Sequence, residues 1–187
     1  LEAFYNRTAS KETTPVNIDV DAMVSSLKAA SAIIVPINLR IYQKSRVRGV
    51  AALCPIAAHP ANISKRHQDV YKSYEENAEN VPLINKSVME TFLEAAKMDH
   101  TNPGHFVTLS NNLREFPPFT VTAQKDPFRD DGVVLHKILH EEGAVVNRQH
   151  YDGFGHVFWN FPMPKKRDVF LSNTTRGMQF ILFCLKS

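Results

Sequence analysis

The stretch Asp126-Pro-Phe-Arg-Asp-Asp-Gly132, followed at a distance by Asp152-Gly-Phe-Gly-His156-Val-Phe-Trp159, decides how this chain is read. Just ahead of the first segment, after Pro117 and Pro118, Phe119 to Ala123 alternates as a strand does. Between the two segments Asp131 to Glu142 has the spacing of an amphipathic helix stopped by Gly143, and Ala144 to Tyr151 reads as a second strand. Strand, helix and strand in this order predict a parallel βαβ unit, whose strand-ending loops share one carboxyl edge of the sheet. Asp126 and His156 stand 30 residues apart, one in each of those loops, so their side chains can meet at one point. A carboxylate bound to Nδ1–H fixes the imidazole tautomer that leaves Nε2 free to take a proton from a nucleophile. Asp130 and Asp131 read as the N-cap and first turn of the intervening helix.

Working outward, Val47 to Leu53 is a short apolar and β-branched run closed by Pro55, which suits a buried strand. His59 to Asn85 is mainly polar, with Tyr71 and Tyr74 set among acids and amides, and could form a cap or lid. Ser87 and Glu90 make a capping box for a helix with Met89, Phe92, Leu93 and Ala96 along one face. Asp168 to Leu185 predicts a closing helix, and Asp21 to Ser45 a helical pattern interrupted by Pro36. The fold class expected is α/β, a mostly parallel sheet flanked by helices. Residues 1–20 read as a flexible lead-in and 21–187 as one domain, with 59–99 as a cap-like insertion.

The segments Asp126 to Gly132 and Asp152 to Trp159 resemble the D-P-L-R-D-[DE]-G and H-G-F motifs of hormone-sensitive-lipase-like carboxylesterases, including fungal members of that branch of the α/β-hydrolases. Gly49-Val-Ala-Ala-Leu-Cys-Pro55 is similar to that family's strand before its cap insertion, and Tyr74-Glu-Glu-Asn-Ala78 to part of the insertion. The resemblance covers residues 29 to 185 and corresponds to the family's C-terminal part, giving a shortened fold. It implies hydrolysis of a small-molecule acyl ester, with His156 as base, Asp126 as its orienter and no cofactor. A shortened sheet would leave a strand edge and an apolar face uncovered, so a homodimer or a partner chain is expected.

Two parts of the family's machinery have no match in the residues. The seven glycines include no H-G-G-G run of the kind that supplies backbone donors to an oxyanion, and no G-x-S-x-G elbow occurs. Distance from Pro55 places the nucleophile position at Ser31 within Ala29-Ala30-Ser31-Ala32-Ile33, with Ser25 and Ser26 as weaker candidates. A serine in such an apolar helical pattern also suits a hydroxyl bonded to a carbonyl one turn back. These gaps sustain an alternative: a hydrolase-derived protein that binds or assembles, or that uses the His/Asp pair for proton transfer in a lyase or isomerase reaction.

Around His156, the rings of Phe154, Phe158 and Trp159 fit a substrate pocket and a packed core equally well. His136 and His140 have helical metal-ligand spacing, but no third ligand accompanies them and exposed helix positions are the better reading. Cys54 and Cys184 lie in apolar runs and read as small buried hydrophobes. The basic runs Lys44–Arg46–Arg48 and Lys165–Lys166–Arg167 carry no interleaved aromatics and read as solvated loop charge, so no nucleic-acid partner is expected. No apolar stretch reaches the roughly 18 residues of a membrane span. A cytoplasmic location is the expectation, with secretion left open by four N-x-Ser/Thr sequons at Asn6, Asn62, Asn85 and Asn173.

Overall fold

The computed structural model describes residues 49–81, 84–111, 113, 118–161 and 164–184. The candidate nucleophiles Ser25, Ser26 and Ser31 lie outside the described residues. Among those described, the elements are β1 (Val50–Leu53), 3-10 turns at Pro60–Asn62 and Lys65–Val70, α1 (Ser73–Glu76), α2 (Lys86–Ala95), a 3-10 turn at Val107–Leu109, β2 (Pro118–Lys125), α3 (Arg129–Glu141), β3 (Asn147–Gly155), a 3-10 turn at Phe158–Asn160 and α4 (Pro164–Cys184). The described strands form one sheet in the order β1-β2-β3, and both pairings are parallel. This is the α/β architecture that the alternation of strand and helix patterns predicts.

β2 is the middle strand and is buried on both faces from Pro118 to Ala123. Phe119, Val121 and Ala123 share one core with Tyr151, Phe158 and the α4 residues Phe170 and Ile181. Thr120 and Thr122 point to the other face, where α3 packs so closely that a β-carbon on Gly132 would stand 2.6 Å from the Thr122 methyl. Val134, Leu135, Ile138 and Leu139 of α3 build a second core there with Ala57 and Leu113. A third cluster joins Tyr74, Met89, Leu93 and Phe106 of the segment after β1 to Phe128, directly beside the loop that ends β2.

Several local expectations shift, each for an identifiable reason. α2 is capped by Asn85, whose side-chain oxygen accepts the Val88 N–H at 3.0 Å, so the helix starts ahead of the Ser87 box. α3 starts at Arg129 behind Phe128, which offers no side-chain cap, because the carboxylates of Asp130 and Asp131 bind distant backbone instead. Gly143 does end α3, in the left-handed region at φ +82° with its N–H on the His140 carbonyl. β3 starts later than the sequence pattern suggests because Ala144 is still bonded to the last turn of α3 through the Leu139 carbonyl. It runs on to Gly155 through an irregularity: Ala123 pairs with Tyr151 but Lys125 with Gly155. Gly153 sits there at φ +78°, a conformation that favours glycine, and its N–H donates to Gln124 Oε1 at 2.7 Å. Lys165, Lys166 and Arg167 belong to the first turns of α4 rather than to a loop, and all three are exposed.

Candidate active site

Each of the three parallel strands is followed immediately by a side chain of chemical interest: Cys54 after β1, Asp126 after β2 and His156 after β3. Parallel strands deliver all three to the same carboxyl edge, and Asp126, on the middle strand, lies between the other two in sheet order. Extra residues of β3 around Gly153 shift its register against β2, so that Gly155, next to His156, pairs with Lys125, next to Asp126.

His156 Nδ1 is 2.9 Å from Asp126 Oδ2, with the imidazole 3% and the carboxylate 0% exposed. A carboxylate only accepts, so this hydrogen bond is made with the proton on Nδ1, an arrangement that leaves Nε2 available to accept one. The second carboxylate oxygen, Oδ1, accepts the Phe128 N–H at 2.8 Å. Phe128 also lays its ring against the imidazole, with centroids 5.2 Å apart, and is itself fully buried. The loop is held from behind by Asn77, whose side-chain amide donates to the carbonyls of Gln124 at 3.2 Å and Asp126 at 3.1 Å. A buried pair whose remaining groups are bonded and packed in this way has a fixed tautomer and orientation, the requirement for an imidazole that accepts a proton.

The next two carboxylates in the motif are clamps on the segment that follows β1. Asp131 Oδ2 accepts the N–H groups of Ala57 and Ala58, both at 3.0 Å, and its Oδ1 accepts the Tyr71 hydroxyl at 2.7 Å. Burial pushes the Asp131 carboxyl well above the usual carboxylate range, a rise that these donors oppose. Asp130 accepts the N–H groups of Lys72 and Ser73, each at 2.7 Å, and pairs with Arg129, which reaches on to Glu76. The Ser73 hydroxyl closes the circuit by donating to the Pro127 carbonyl at 2.6 Å. The loop bearing Asp126 is thus bolted to residues 57–58 and 71–77 by hydrogen bonds that span 47 to 74 positions of chain.

The aromatic residues after His156 are placed mainly by packing. Phe158 is 1% exposed within the core between the sheet and α4, its ring 4.5 Å from Phe154 and 5.3 Å from Trp159. Trp159 stacks on Phe170 at 4.5 Å with the rings nearly parallel, and Lys166 lies over Phe154. Phe158 thus belongs to the core, while Phe154 and Trp159 are partly buried against it. His136 is half-buried and His140 exposed on α3. Among the described residues, the one group of His, Cys, Asp or Glu side chains close enough to share a metal ion is Cys54, Asp126 and His156. Burial, and then the charge and hydrogen bonding of Asp126, push the Cys54 thiol well up in the metal-free protein.

Sequence reasoning reaches Asp126 and His156 but not the place of Cys54, Phe128 and Asn77 beside them. Cys54 could be found by asking which residue ends the strand next to that of Asp126. Phe128 and Asn77 lie within the motif stretches 126–132 and 74–78, but nothing in their local pattern marks them as neighbours of Asp126 and His156.

A family model described as "alpha/beta hydrolase fold" matches residues 29–160. The versiconal hemiacetal acetate esterase of Dothistroma septosporum is 34% identical over 145 residues, which cover 76% of this chain and 44% of that protein. The corresponding esterase of Emericella nidulans is 28% identical, over 73% of this chain and 49% of its own. Among solved structures, a vibralactone cyclase superposes with a TM-score of 0.68 at 24% identity, covering 74% of this chain and 41% of that one. The chain therefore spans less than half the length of these relatives. A match across more than half of the chain, the parallel sheet and the esterase relatives together establish that the chain belongs to the α/β-hydrolase family, in its hormone-sensitive-lipase-like esterase branch.

Proposed function

We propose that this protein hydrolyses small carboxylic esters by acyl transfer, with His156 as general base and then general acid, Asp126 as its orienter and Ser31 as nucleophile. The observation that carries the reading is the buried 2.9 Å bond between His156 Nδ1 and Asp126 Oδ2 at the carboxyl edge of a parallel sheet. In the first half-reaction Ser31 Oγ attacks the ester carbonyl as Nε2 takes its proton. Collapse of the tetrahedral intermediate then expels the alcohol, which receives that proton. Water repeats the sequence on the acyl-serine, releases the acid and returns the proton to Ser31. Ser31 enters by its distance from Pro55 and by resemblance to the family, whose acyl transfer needs a serine there.

The sequence contains no H-G-G-G run, and each missing oxyanion donor is worth roughly 3 to 4 kcal/mol, a factor of about a hundred to a thousand in rate. Turnover by this chain alone is therefore slow. The test is hydrolysis of a short p-nitrophenyl ester by the wild type, Ser31→Ala, His156→Ala and the double variant. Loss in each single variant, with no further loss in the double, is the result expected of a unit. An esterase rate unchanged in both single variants would overturn the triad. A second reading, a non-hydrolytic protein that binds a partner or transfers protons through the same pair, is favoured by the absent G-x-S-x-G elbow. It predicts no hydrolysis by the wild type in that assay.

A further inference from the structure

The acyl-transfer scheme uses the residues that end β2 and β3 and leaves unused the one that ends β1. Cys54 is 2% exposed, and its sulfur, a carboxylate oxygen of Asp126 and a ring nitrogen of His156 all lie within 4.8 Å of one another. Its backbone is in the left-handed region at φ +47°, unusual for a residue with a side chain. The Cys54 N–H still extends the sheet ladder, donating to the Val121 carbonyl at 2.9 Å, so the strained turn is tied down at the point where it directs the thiol. Val157, the residue after His156, adopts the same unusual conformation at φ +48°. Two of the four left-handed non-glycine residues described thus flank the Asp126–His156 pair, one on each neighbouring strand end.

The state of the sulfur follows from its surroundings. Burial first, and then the charge and hydrogen bonding of Asp126, push the thiol well up, so it is a donor and not a thiolate nucleophile. A carboxylate has about four acceptor sites, and two of those on Asp126 are taken by Phe128 N–H and His156 Nδ1–H. Buried acceptor capacity left without a donor is costly.

We infer that Cys54 is a positioning residue: its S–H holds the Asp126 carboxylate from the β1 side while His156 holds it from the β3 side, fixing the rotamer that keeps the proton on Nδ1. The function served is the hydrolytic one proposed above, but the positioning itself is measurable without turnover. Side-chain ¹H–¹⁵N NMR of His156 reports the tautomer in the wild type, in Cys54→Ser, which keeps a donor, and in Cys54→Ala and Cys54→Gly, which do not. Glycine tolerates the left-handed backbone, and urea unfolding checks that each variant is folded before its tautomer is read. The Nδ1–H tautomer is expected in the wild type and Cys54→Ser, and a mixture of tautomers in both donorless variants. In parallel, kcat should fall about tenfold in the donorless variants, the scale of one hydrogen bond, with KM within about twofold and Cys54→Ser within about threefold of wild type. A tautomer shift confined to the donorless variants supports the inference even if no variant hydrolyses the ester, a result that would refute the hydrolytic reading alone. Donorless variants indistinguishable from wild type, or a Cys54→Ser variant as impaired as Cys54→Ala, would overturn it.

Discussion

Replacing Asp126 by asparagine changes one atom type and leaves the shape intact, so its effect isolates the role of the carboxylate. The introduced amide would keep an oxygen for the Phe128 N–H, now 2.8 Å from Oδ1, and would turn its nitrogen toward His156 Nδ1, 2.9 Å from Oδ2. Two donors cannot share that bond. The imidazole must then present a lone pair at Nδ1 and carry its proton on Nε2, where it cannot accept one from a nucleophile. The corresponding substitution in a serine protease triad lowers kcat by about 10⁴, and the same cause gives the same scale here, roughly 5.5 kcal/mol. Stability should change little, because the variant removes a fully buried charge and keeps the Phe128 bond. The assay pairs kcat/KM for a short p-nitrophenyl ester with urea unfolding, so that lost activity is not confused with lost fold. Esterase activity within about tenfold of wild type in a folded Asp126→Asn variant would rule out this role for the carboxylate, because the wrong tautomer allows no such rate.

The Asp131 carboxyl is raised by burial, so the folded state holds its proton more tightly than the unfolded chain does, and stability should fall as pH rises from about 4 toward the raised value. Asp131→Asn should flatten that slope in urea titrations between about pH 4 and 8, the span above an ordinary carboxyl's range; an unchanged slope would reject the assignment. Gly132→Ala would gain about 1 kcal/mol of helix propensity but force a β-carbon to 2.6 Å from the Thr122 methyl within the sheet face. Overpacking of this kind costs about 1 to 3 kcal/mol, so net destabilisation is expected in thermal melts, and a stabilised variant would show that α3 can shift outward. α4 exposes Val169, Leu171, Met178, Leu182 and Phe183, the last 72% accessible. We expect a homodimer to cover them: light scattering should give twice the chain mass, and Leu182→Glu with Phe183→Glu the single mass. A monomeric wild type would count against it.

The parts of this molecule legible in the sequence are those set by period and position. Phe119 to Ala123 alternates because one face of β2 meets α4 and the other meets α3, and a strand pattern with a helix behind it is enough to put Asp126 and His156 at one edge. What escapes the reading depends on register and on contacts remote in sequence. Cys54 in Ala-Ala-Leu-Cys-Pro looks like any core cysteine until the pairing of Leu53 with Val121 sets it beside the end of β2. Asp130 and Asp131 have the local signature of a helix start, yet their oxygens bind backbone 57 to 74 residues away, a preference that no local pattern encodes. The run of rings from Phe154 to Trp159 suits pocket and core alike as sequence, and the stacking of Trp159 on Phe170 of α4 is a contact that no local pattern encodes. Ser31 rests on its sequence position alone, outside the described residues.

Activation of a serine of this chain by the buried Asp126–His156 pair is tested most directly by labelling the full chain with a serine-directed fluorophosphonate and mapping the adduct by peptide mass spectrometry. One adduct is expected, on Ser31, lost in Ser31→Ala and strongly slowed in His156→Ala, because the reagent reports an activated hydroxyl even where the oxyanion hole is poor. Labelling at another residue, or labelling of Ser31 at an undiminished rate when His156 is replaced by alanine, would contradict activation of Ser31 by this pair.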